Sequence, residues 1–154
     1  NLMSAGMQSI EGAQPAKISD YYEIMPITSE STFSWQKINF KMIQTIHAYN
    51  GKDLVPSYGI YFVTPANIKV FITTDTQFKP QLYMSYFEQA DIIFHDCDTS
   101  HHKNPVHAHF TELATLPADI KAKMWLYHYT KALPKEAKAE GFQGFVVKGQ
   151  TFDI

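Results

Sequence analysis

Six segments of the chain have the apolar patterning of β-strands. Most alternate loosely between apolar and polar positions and are rich in β-branched and aromatic residues, whereas one is a short continuous apolar run typical of a buried strand. Turn-forming residues separate the first three strands at Asn50–Asp53 and Thr64–Asn67. The predicted strands are Phe40–Ile46, Tyr58–Val63, Ile68–Thr73, Asp91–Phe94, Lys123–Tyr127 and Gly141–Lys148.

Helical spacing is confined to shorter stretches. It predicts a helix over Pro80–Gln89 and another over Phe110–Leu116, and Pro117 can begin a third at its first turn. The first 35 residues are mixed, and their predicted features are a short helix over Met3–Ile10 and turns over Gly12–Pro15 and Ser29–Ser34. The resulting order, β-β-β-α-β-α-β-β without a repeat or linker, predicts one α/β domain over residues 1–154.

Composition supports a packed domain and excludes several function classes. The 154 residues are 45% hydrophobic and 14% aromatic, which is enough for a buried core. Thirteen lysines and arginines against fifteen acidic residues give a net charge of −2, which argues against broad binding of nucleic acid or anionic membrane. No apolar run approaches the roughly 18 residues of a spanning helix. The single cysteine, Cys97, cannot form an intrachain disulfide and suits a reducing compartment, so a cytoplasmic location is expected.

Four predicted strands end in a residue that can bind a metal or transfer a proton. His47 follows the first strand, Asp75 the third, His95 and Asp96 the fourth, and His128 the fifth. In sheets with helical crossovers, ligands gather beyond the carboxyl ends of the strands. Imidazole and carboxylate groups are also the usual nitrogen and oxygen ligands of zinc. The pattern therefore predicts a polar edge where these groups converge.

Each of these residues also has an ordinary structural interpretation. A lone histidine after a strand, such as His47, is usually a surface residue, and Asp75 can form an Asx-turn or cap a helix. The pair His101 and His102 is typical of a solvated loop. Cys97 is expected to be an inert buried thiol. Only the repetition of such groups at successive strand ends favours a functional site.

From His47 onward the chain resembles the second half of a metallo-β-lactamase-fold hydrolase, and its pattern is nearest to the RNase Z-like phosphodiesterase branch. The resemblance covers roughly residues 40 to 130. The segments that carry it are Ile46-His47, Val55–Phe62, Val70–Thr76, Ala90–Asp96, Val106–His109 and Trp125–His128.

The resemblance implies roles for five residues. His47 matches a histidine ligand of one metal, Asp75 matches the carboxylate that bridges two metals, and His128 matches the last histidine ligand of the second metal. His107 falls where the branch places a histidine that is not a ligand, and His109 is the near alternative. The implied metal ligands are thus His47, Asp75 and His128, and the implied catalytic residues are His107, His109 and Asp75.

The implied cofactors are two divalent metals, with zinc first and manganese or iron as alternatives. A metal pair lowers the pKa of a shared water, so the expected reaction is hydrolysis by a metal-activated hydroxide. His107 could stabilise a developing oxyanion or protonate the leaving group. Asp96 could orient a ligand histidine by accepting a hydrogen bond from it.

The expected fold is an αββα metallo-β-lactamase sandwich without its N-terminal metal-ligand half. The hallmark His-x-His-x-Asp-His run does not occur in these 154 residues, and the His-x-His at His107 and His109 lacks the Asp-His that should follow. The resemblance therefore implies a C-terminal part whose N-terminal half is cleaved, carried by another chain or absent. That half is an expected partner, and a homodimer is compatible with the pattern.

The leading functional hypothesis is a dinuclear metal hydrolase acting on a phosphodiester or another small ester. Thr64–Asn67 leaves no room for the basic arm with which RNase Z-type enzymes hold tRNA, so tRNA precursors are not the expected substrate. Two alternatives stay open because a fold does not fix a substrate. One is hydrolysis of a lactone, thioester or amide on the same scaffold, and the other is a non-catalytic module that acts through protein contacts.

Overall fold

A computed structural model describes residues 18–154 of the chain. The predicted helix Met3–Ile10 and the predicted turn Gly12–Pro15 lie outside these residues. The described part contains one seven-stranded sheet. Its strands are β1 (Thr32–Trp35), β2 (Ile38–Asn50), β3 (Asp53–Val63), β4 (Lys69–Ile72), β5 (Ile92–Asp96), β6 (Met124–Tyr127) and β7 (Gly144–Phe145).

The strands lie in the sheet in the same order as in the sequence. Strands β1 to β4 pair antiparallel through short turns, whereas β4, β5, β6 and β7 pair parallel through helical crossovers. The carboxyl ends of β4, β5 and β6 therefore meet at one edge. This edge brings together three of the strand ends that the sequence singles out.

Four short helices connect the parallel strands. They are α1 (Met84–Gln89), α2 (Phe110–Leu113), α3 (Ala118–Lys121) and α4 (Pro134–Ala139), with single 3₁₀ turns at Ile18–Asp20 and Pro80–Leu82. The predicted helix Pro80–Gln89 is thus divided into a 3₁₀ turn and α1. The third helix begins directly after Pro117 as predicted. Helix α4 was not predicted.

The strand predictions are confirmed in position but not in length. The first strand was expected to stop at Ile46, yet β2 continues to Asn50 and forms a long hairpin with β3. Pairing shifts register between Ile46 and Ala48, so His47 occupies a β-bulge inside the strand. The polar turn predicted over Ser29–Ser34 is wrong in part, because β1 begins at Thr32 and pairs with β2.

One face of the sheet carries the hydrophobic core. Strand residues such as Phe71, Ile93 and Leu126 are fully buried there. Helix residues cover them, including Phe87 of α1 and Leu113 of α2. Burial of such side chains is the main favourable term in folding, at about 25 cal/mol per Å² of apolar surface.

The opposite face of the sheet is apolar but only half-buried. In the pairing register, Ile60, Ile72 and Phe94 lie side by side on this face. Phe94 packs edge-on against Phe152 of the C-terminal segment, with ring centroids 4.9 Å apart. Ile72, Phe94, Tyr127 and Val146 line a shallow apolar depression on this face. One sheet with helices on one face is the arrangement expected for half of an αββα sandwich.

No helix among residues 18–154 is long and apolar enough to cross a membrane.

Candidate metal centre

The structure brings His47, Asp75 and His107 together at the carboxyl edge of the sheet. Each offers one ligand atom, and these atoms all lie within 4.8 Å of one another. His128 joins them, because its Nδ1 lies 3.4 Å from Asp75 Oδ1 and its ring centroid lies 4.5 Å from that of His107. All three metal ligands implied by the resemblance thus lie around one point. Their roles as ligands stay predictions.

Asp96, the last residue of β5, lies beneath this cluster and is fully buried. His107 Nδ1 lies 2.7 Å from Asp96 Oδ2, and His128 Nδ1 lies 3.1 Å from Asp96 Oδ1. The Thr76 backbone N–H also donates to Asp96 Oδ2 at 2.8 Å. One carboxylate therefore contacts two imidazoles through Nδ1, which leaves Nε2 of each ring for another partner. A buried carboxylate in such contacts fixes the orientation of both rings.

The donor set fits a divalent metal. Imidazole nitrogen and carboxylate oxygen are the ligands that zinc and related ions take from proteins. Nδ1 of His47 is buried and has no hydrogen-bond partner among the described residues. Buried polar atoms are normally hydrogen-bonded, so an orphaned imidazole nitrogen on a ring of this cluster calls for a further partner. A second, overlapping group of Asp96, His107 and His128 has the same ligand types within 4.8 Å.

Hydrogen bonds to backbone carbonyl groups join the segments that carry these side chains. Gln77 N–H donates to Ile46 C=O at 2.7 Å, and the Gln77 side-chain amide donates to His47 C=O at 3.1 Å. Ala108 N–H donates to Thr76 C=O at 2.7 Å. The segments around His47, Asp75 and His107 are therefore held to one another next to the cluster.

Two residues at this edge adopt left-handed backbone. Thr74 has φ 54° and His128 has φ 63°. Residues other than glycine rarely adopt this conformation, and a β-branched residue such as Thr74 is a marked exception. Strain of this kind concentrates at functional sites.

His109 has a different environment from His107, although only one residue separates them. It is the N-cap of α2, where its ring accepts from Thr111 N–H and Glu112 completes a capping box. Its Nε2 lies 3.0 Å from Ser100 C=O. The structure thus brings His107 to the cluster and leaves His109 in the helix cap. Their catalytic roles stay predictions.

Two other candidate residues near this edge, His95 and Cys97, are buried among residues of the protein interior. His95 is buried against the rings of Tyr83 and Phe87, and this burial lowers its pKa to about 4. Cys97 is buried as predicted, and this burial raises the pKa of its thiol, which disfavours the reactive thiolate. Asp75 does not cap a helix, because the next helical turn begins at Pro80.

A cleft of about 270 Å³ opens beside His107. Its lining is mostly polar and comprises Gln77, Phe78, Lys79, Lys103, Asn104, Pro105, His107 and Glu112. Lys103 forms an ion pair with Glu112 at 3.2 Å, whereas Lys79 forms no ion pair with any residue in the range 18–154. Sequence reasoning missed this cleft, because its wall combines residues 77–79 with residues between 103 and 112, and no local pattern links the two segments.

Comparison with known proteins identifies related sequences. A family model described as anti-Pycsar protein Apyc1 matches residues 1–152. The anti-Pycsar protein Apyc1 of Paenibacillus harenae is 26% identical over 140 residues, covering 90% of this chain and 54% of that protein. The protein of the same name from Paenibacillus sp. (strain J14) is 28% identical over 120 residues, covering 77% of this chain and 45% of that protein. The chain spans about half the length of the curated relatives it matches.

Solved structures support the fold. A new diphosphatase from the PhnP family has a TM-score of 0.58 at 19% identity, covering 82% of this chain and 47% of that one. The metallo-β-lactamase-fold protein YhfI from Bacillus subtilis has a TM-score of 0.57 at 16% identity, covering 77% and 48%. Unliganded yeast PDE1 has a TM-score of 0.55 at 8% identity, covering 80% and 48%.

These findings confirm one part of the sequence-based resemblance and do not confirm another. The metallo-β-lactamase fold is confirmed by the structural neighbours. The assignment to an RNase Z-like branch is not confirmed, because the family model that matches nearly the whole chain is that of another named family. The chain belongs to the family of anti-Pycsar Apyc1 proteins.

Proposed function

We propose that the chain is part of a metal-dependent hydrolase of the phosphodiesterase type. The observation that carries this proposal is the convergence of His47, Asp75 and His107 within 4.8 Å, with His128 at 3.4 Å from Asp75. A diphosphatase of the PhnP family and yeast PDE1 share the fold, which is consistent with phosphoester chemistry. His47, Asp75 and His128 are the proposed ligands, with zinc as the first candidate metal and manganese or iron as alternatives.

The proposed division of labour follows from the contacts. Two divalent metals, when bound, supply Lewis acidity and lower the pKa of water so that a nucleophile forms near neutral pH. Asp96 holds the rings of His107 and His128 through their Nδ1 atoms. His107 then has Nε2 free to carry a proton to the leaving oxygen of the ester, which is the usual work of a general acid. Asp75 contributes its carboxylate to the metals.

The proposed substrate is a small phosphodiester, and a cyclic mononucleotide is a compact example. The cleft beside His107 has the size and polar lining for such a molecule. The segment between β3 and β4 is a tight turn, in which Thr64 N–H donates to Ile68 C=O at 2.9 Å. It leaves no basic arm between the His47 and Asp75 segments, and the net charge of −2 gives no broad attraction for RNA.

We propose that this chain alone provides only some of the ligands of the metal site. The run His-x-His-x-Asp-His does not occur in its sequence, and the chain matches only about half of each curated relative. We expect further ligands from the N-terminal half of the fold. A cytoplasmic location and a homodimer remain predictions.

The test compares the complete protein with the isolated 154 residues. Both are loaded with zinc, manganese or iron and offered bis(p-nitrophenyl) phosphate, a 3′,5′-cyclic mononucleotide, a lactone, a thioester and a tRNA precursor. The proposal expects the complete protein to cleave the phosphodiesters and the isolated chain to bind less metal and turn over poorly. His107→Ala in the complete protein should lower kcat by about 10²–10⁴-fold, and His101→Ala, in an exposed loop, should not.

Three results would redirect the proposal. Preference for the lactone or thioester would show that the enzyme hydrolyses carboxylic esters or thioesters and not phosphodiesters. Efficient, salt-sensitive cleavage of the tRNA precursor would restore RNA as the substrate. Absence of both metal binding and turnover in the complete protein would support the non-catalytic module instead.

A further inference from the structure

Asp75 follows a residue with an unfavourable backbone conformation. Thr74 has φ 54°, in the left-handed region. Its branched side chain crowds the neighbouring carbonyl there, so the conformation persists only where surrounding contacts impose it. The contacts around Thr74 must therefore impose this conformation.

The hydroxyl of Thr74 attaches this residue to strand β3. It donates to the Tyr58 C=O at 3.0 Å, and Ser57 Oγ lies 2.8 Å from it. Tyr58 and Ser57 lie 16 and 17 residues earlier in the chain, so these are tertiary contacts. The residue directly before the proposed metal ligand is thus hydrogen-bonded to β3.

Gly59 makes this close approach of β3 to β4 feasible. A Cβ at Gly59 would lie 2.8 Å from the Ile72 carbonyl oxygen and 3.2 Å from that of Thr73. The contact with the Ile72 carbonyl oxygen is too short for any Cβ unless the backbone shifts, and the contact with the Thr73 carbonyl oxygen is also tight. A side chain at residue 59 would separate the two strands just where Thr74 reaches β3.

The chain is fixed equally well on the other side of Asp75. Thr76 N–H donates to the buried carboxylate of Asp96 at 2.8 Å, and Gln77 N–H donates to Ile46 C=O at 2.7 Å. Asp75 itself is half-exposed, and its carboxylate faces His128. Thr73 and Thr74 separate the end of β4 from Asp75, and Thr74 combines the strained backbone with a hydroxyl bond to β3.

We propose that Thr74 is a positioning residue for Asp75: its hydroxyl, held by β3, imposes the left-handed turn that directs the carboxylate at the histidine cluster. This inference rests on the proposed function, because it assumes that Asp75 binds the metal. The proposed function does not itself require it, since Asp75 could be directed by Thr76 and Gln77 alone.

The test uses three substitutions at one residue in the complete protein. T74S keeps the hydroxyl and should keep the metal affinity of the wild type. T74V keeps the branched shape without the hydroxyl and should weaken metal binding by about tenfold or more. T74G relieves the backbone strain and removes the attachment, so the metal-free protein should melt at the same or a higher temperature while metal binding weakens. Metal affinity is measured by chelator competition and stability by thermal unfolding of the metal-free protein.

Two further variants complete the design. K37G is the matched control, because Lys37 also has a left-handed backbone, φ 67°, but lies in the exposed turn between β1 and β2. It should affect melting as T74G does and leave metal affinity unchanged. D75N should lose metal affinity in any case, and wild-type affinity in D75N would overturn the proposed site itself.

The positioning role of Thr74 is overturned if D75N loses affinity while T74V binds metal like the wild type. It is also overturned if a lower melting temperature fully accounts for the loss of metal affinity in T74V, and T74G has the metal affinity and the melting temperature of the wild type. The second result would show that Thr74 serves the fold alone.

Discussion

The two faces of the sheet differ in how they are buried. On the helix-covered face, strand side chains such as Phe71 and Leu126 are inaccessible to solvent and pack against aromatic and aliphatic residues of the helices. On the opposite face, Ile72 and Phe94 are apolar too but only half-buried, and Phe94 packs against Phe152 of the C-terminal segment. The first face therefore carries most of the hydrophobic stabilisation of this chain.

The same difference separates two neighbouring residues at the end of β5. His95 points into the helix-covered core, whereas Asp96 lies on the other face beneath His107 and His128. Both side chains are fully buried, yet one is enclosed by aromatic rings and the other by hydrogen-bond donors. Burial alone thus does not distinguish a structural residue from a site residue. The polarity of the surrounding groups does.

The largest expected effect is on the free energy of unfolding, and it differs between Phe71 and Ile72, two neighbouring residues of β4 on opposite faces of the sheet. Phe71→Ala removes a fully buried ring and should lower the free energy of unfolding by about 3–5 kcal/mol. Ile72→Ala removes a half-buried side chain and should cost about 1 kcal/mol in this chain. Urea denaturation of both variants measures the difference. Equal losses would show that the two faces are equally important to stability.

Substitution of Asp96 should weaken metal binding, whereas substitution of its neighbour His95 should not. Asp96→Asn keeps the shape of the side chain but removes the charge that holds two imidazoles. We expect metal affinity in the complete protein to fall by about 10–100-fold, the usual effect of losing such an orienting carboxylate. His95→Gln, on the other face, should leave metal affinity unchanged. Chelator competition measures both, and a loss in His95→Gln as large as that in Asp96→Asn would contradict the comparison.

The buried imidazole of His95 should make stability fall in acid. Its pKa is lowered from the ordinary 6.5 to about 4, because burial disfavours the charged ring. In the unfolded chain, the His95 ring therefore becomes protonated below pH 6.5. In the folded chain, it becomes protonated only below about pH 4. The free energy of unfolding should decrease by about 2 kcal/mol between pH 7 and pH 5 from this residue. His95→Gln should flatten that part of the urea-denaturation profile, and an unchanged slope would refute the assignment.

The smallest expected effect concerns His109. Its ring caps α2, so His109→Ala should lower the free energy of unfolding by about 1 kcal/mol, and His109→Asn should retain most of the cap. Neither change should alter metal affinity or the pH dependence of kcat, because this ring lies in the helix cap. A shift in the pH profile of His109→Ala would make His109, and not only His107, a catalytic candidate.

Local patterning was enough to place most strands and the residues at their ends. Asp75, Asp96 and His128 were found because apolar runs of four to six residues define short strands, and parallel strands end at one edge. The same reasoning placed His47 at a strand end, although the structure has it in a β-bulge within β2. Local sequence does not encode the bulge, since it depends on the register with β3.

The sequence by itself determined the fold class and the polar edge, because both follow from short-range periodicity and from the direction of the strands. Tertiary structure decided which groups meet there. It separated His107, whose Nδ1 contacts Asp96, from His109, whose ring caps a helix. It also imposed the left-handed turn at Thr74 through a hydroxyl bond to Tyr58. The contacts of His107 with Asp96 and of Thr74 with Tyr58 join residues 11 and 16 positions apart, and no local pattern records such contacts.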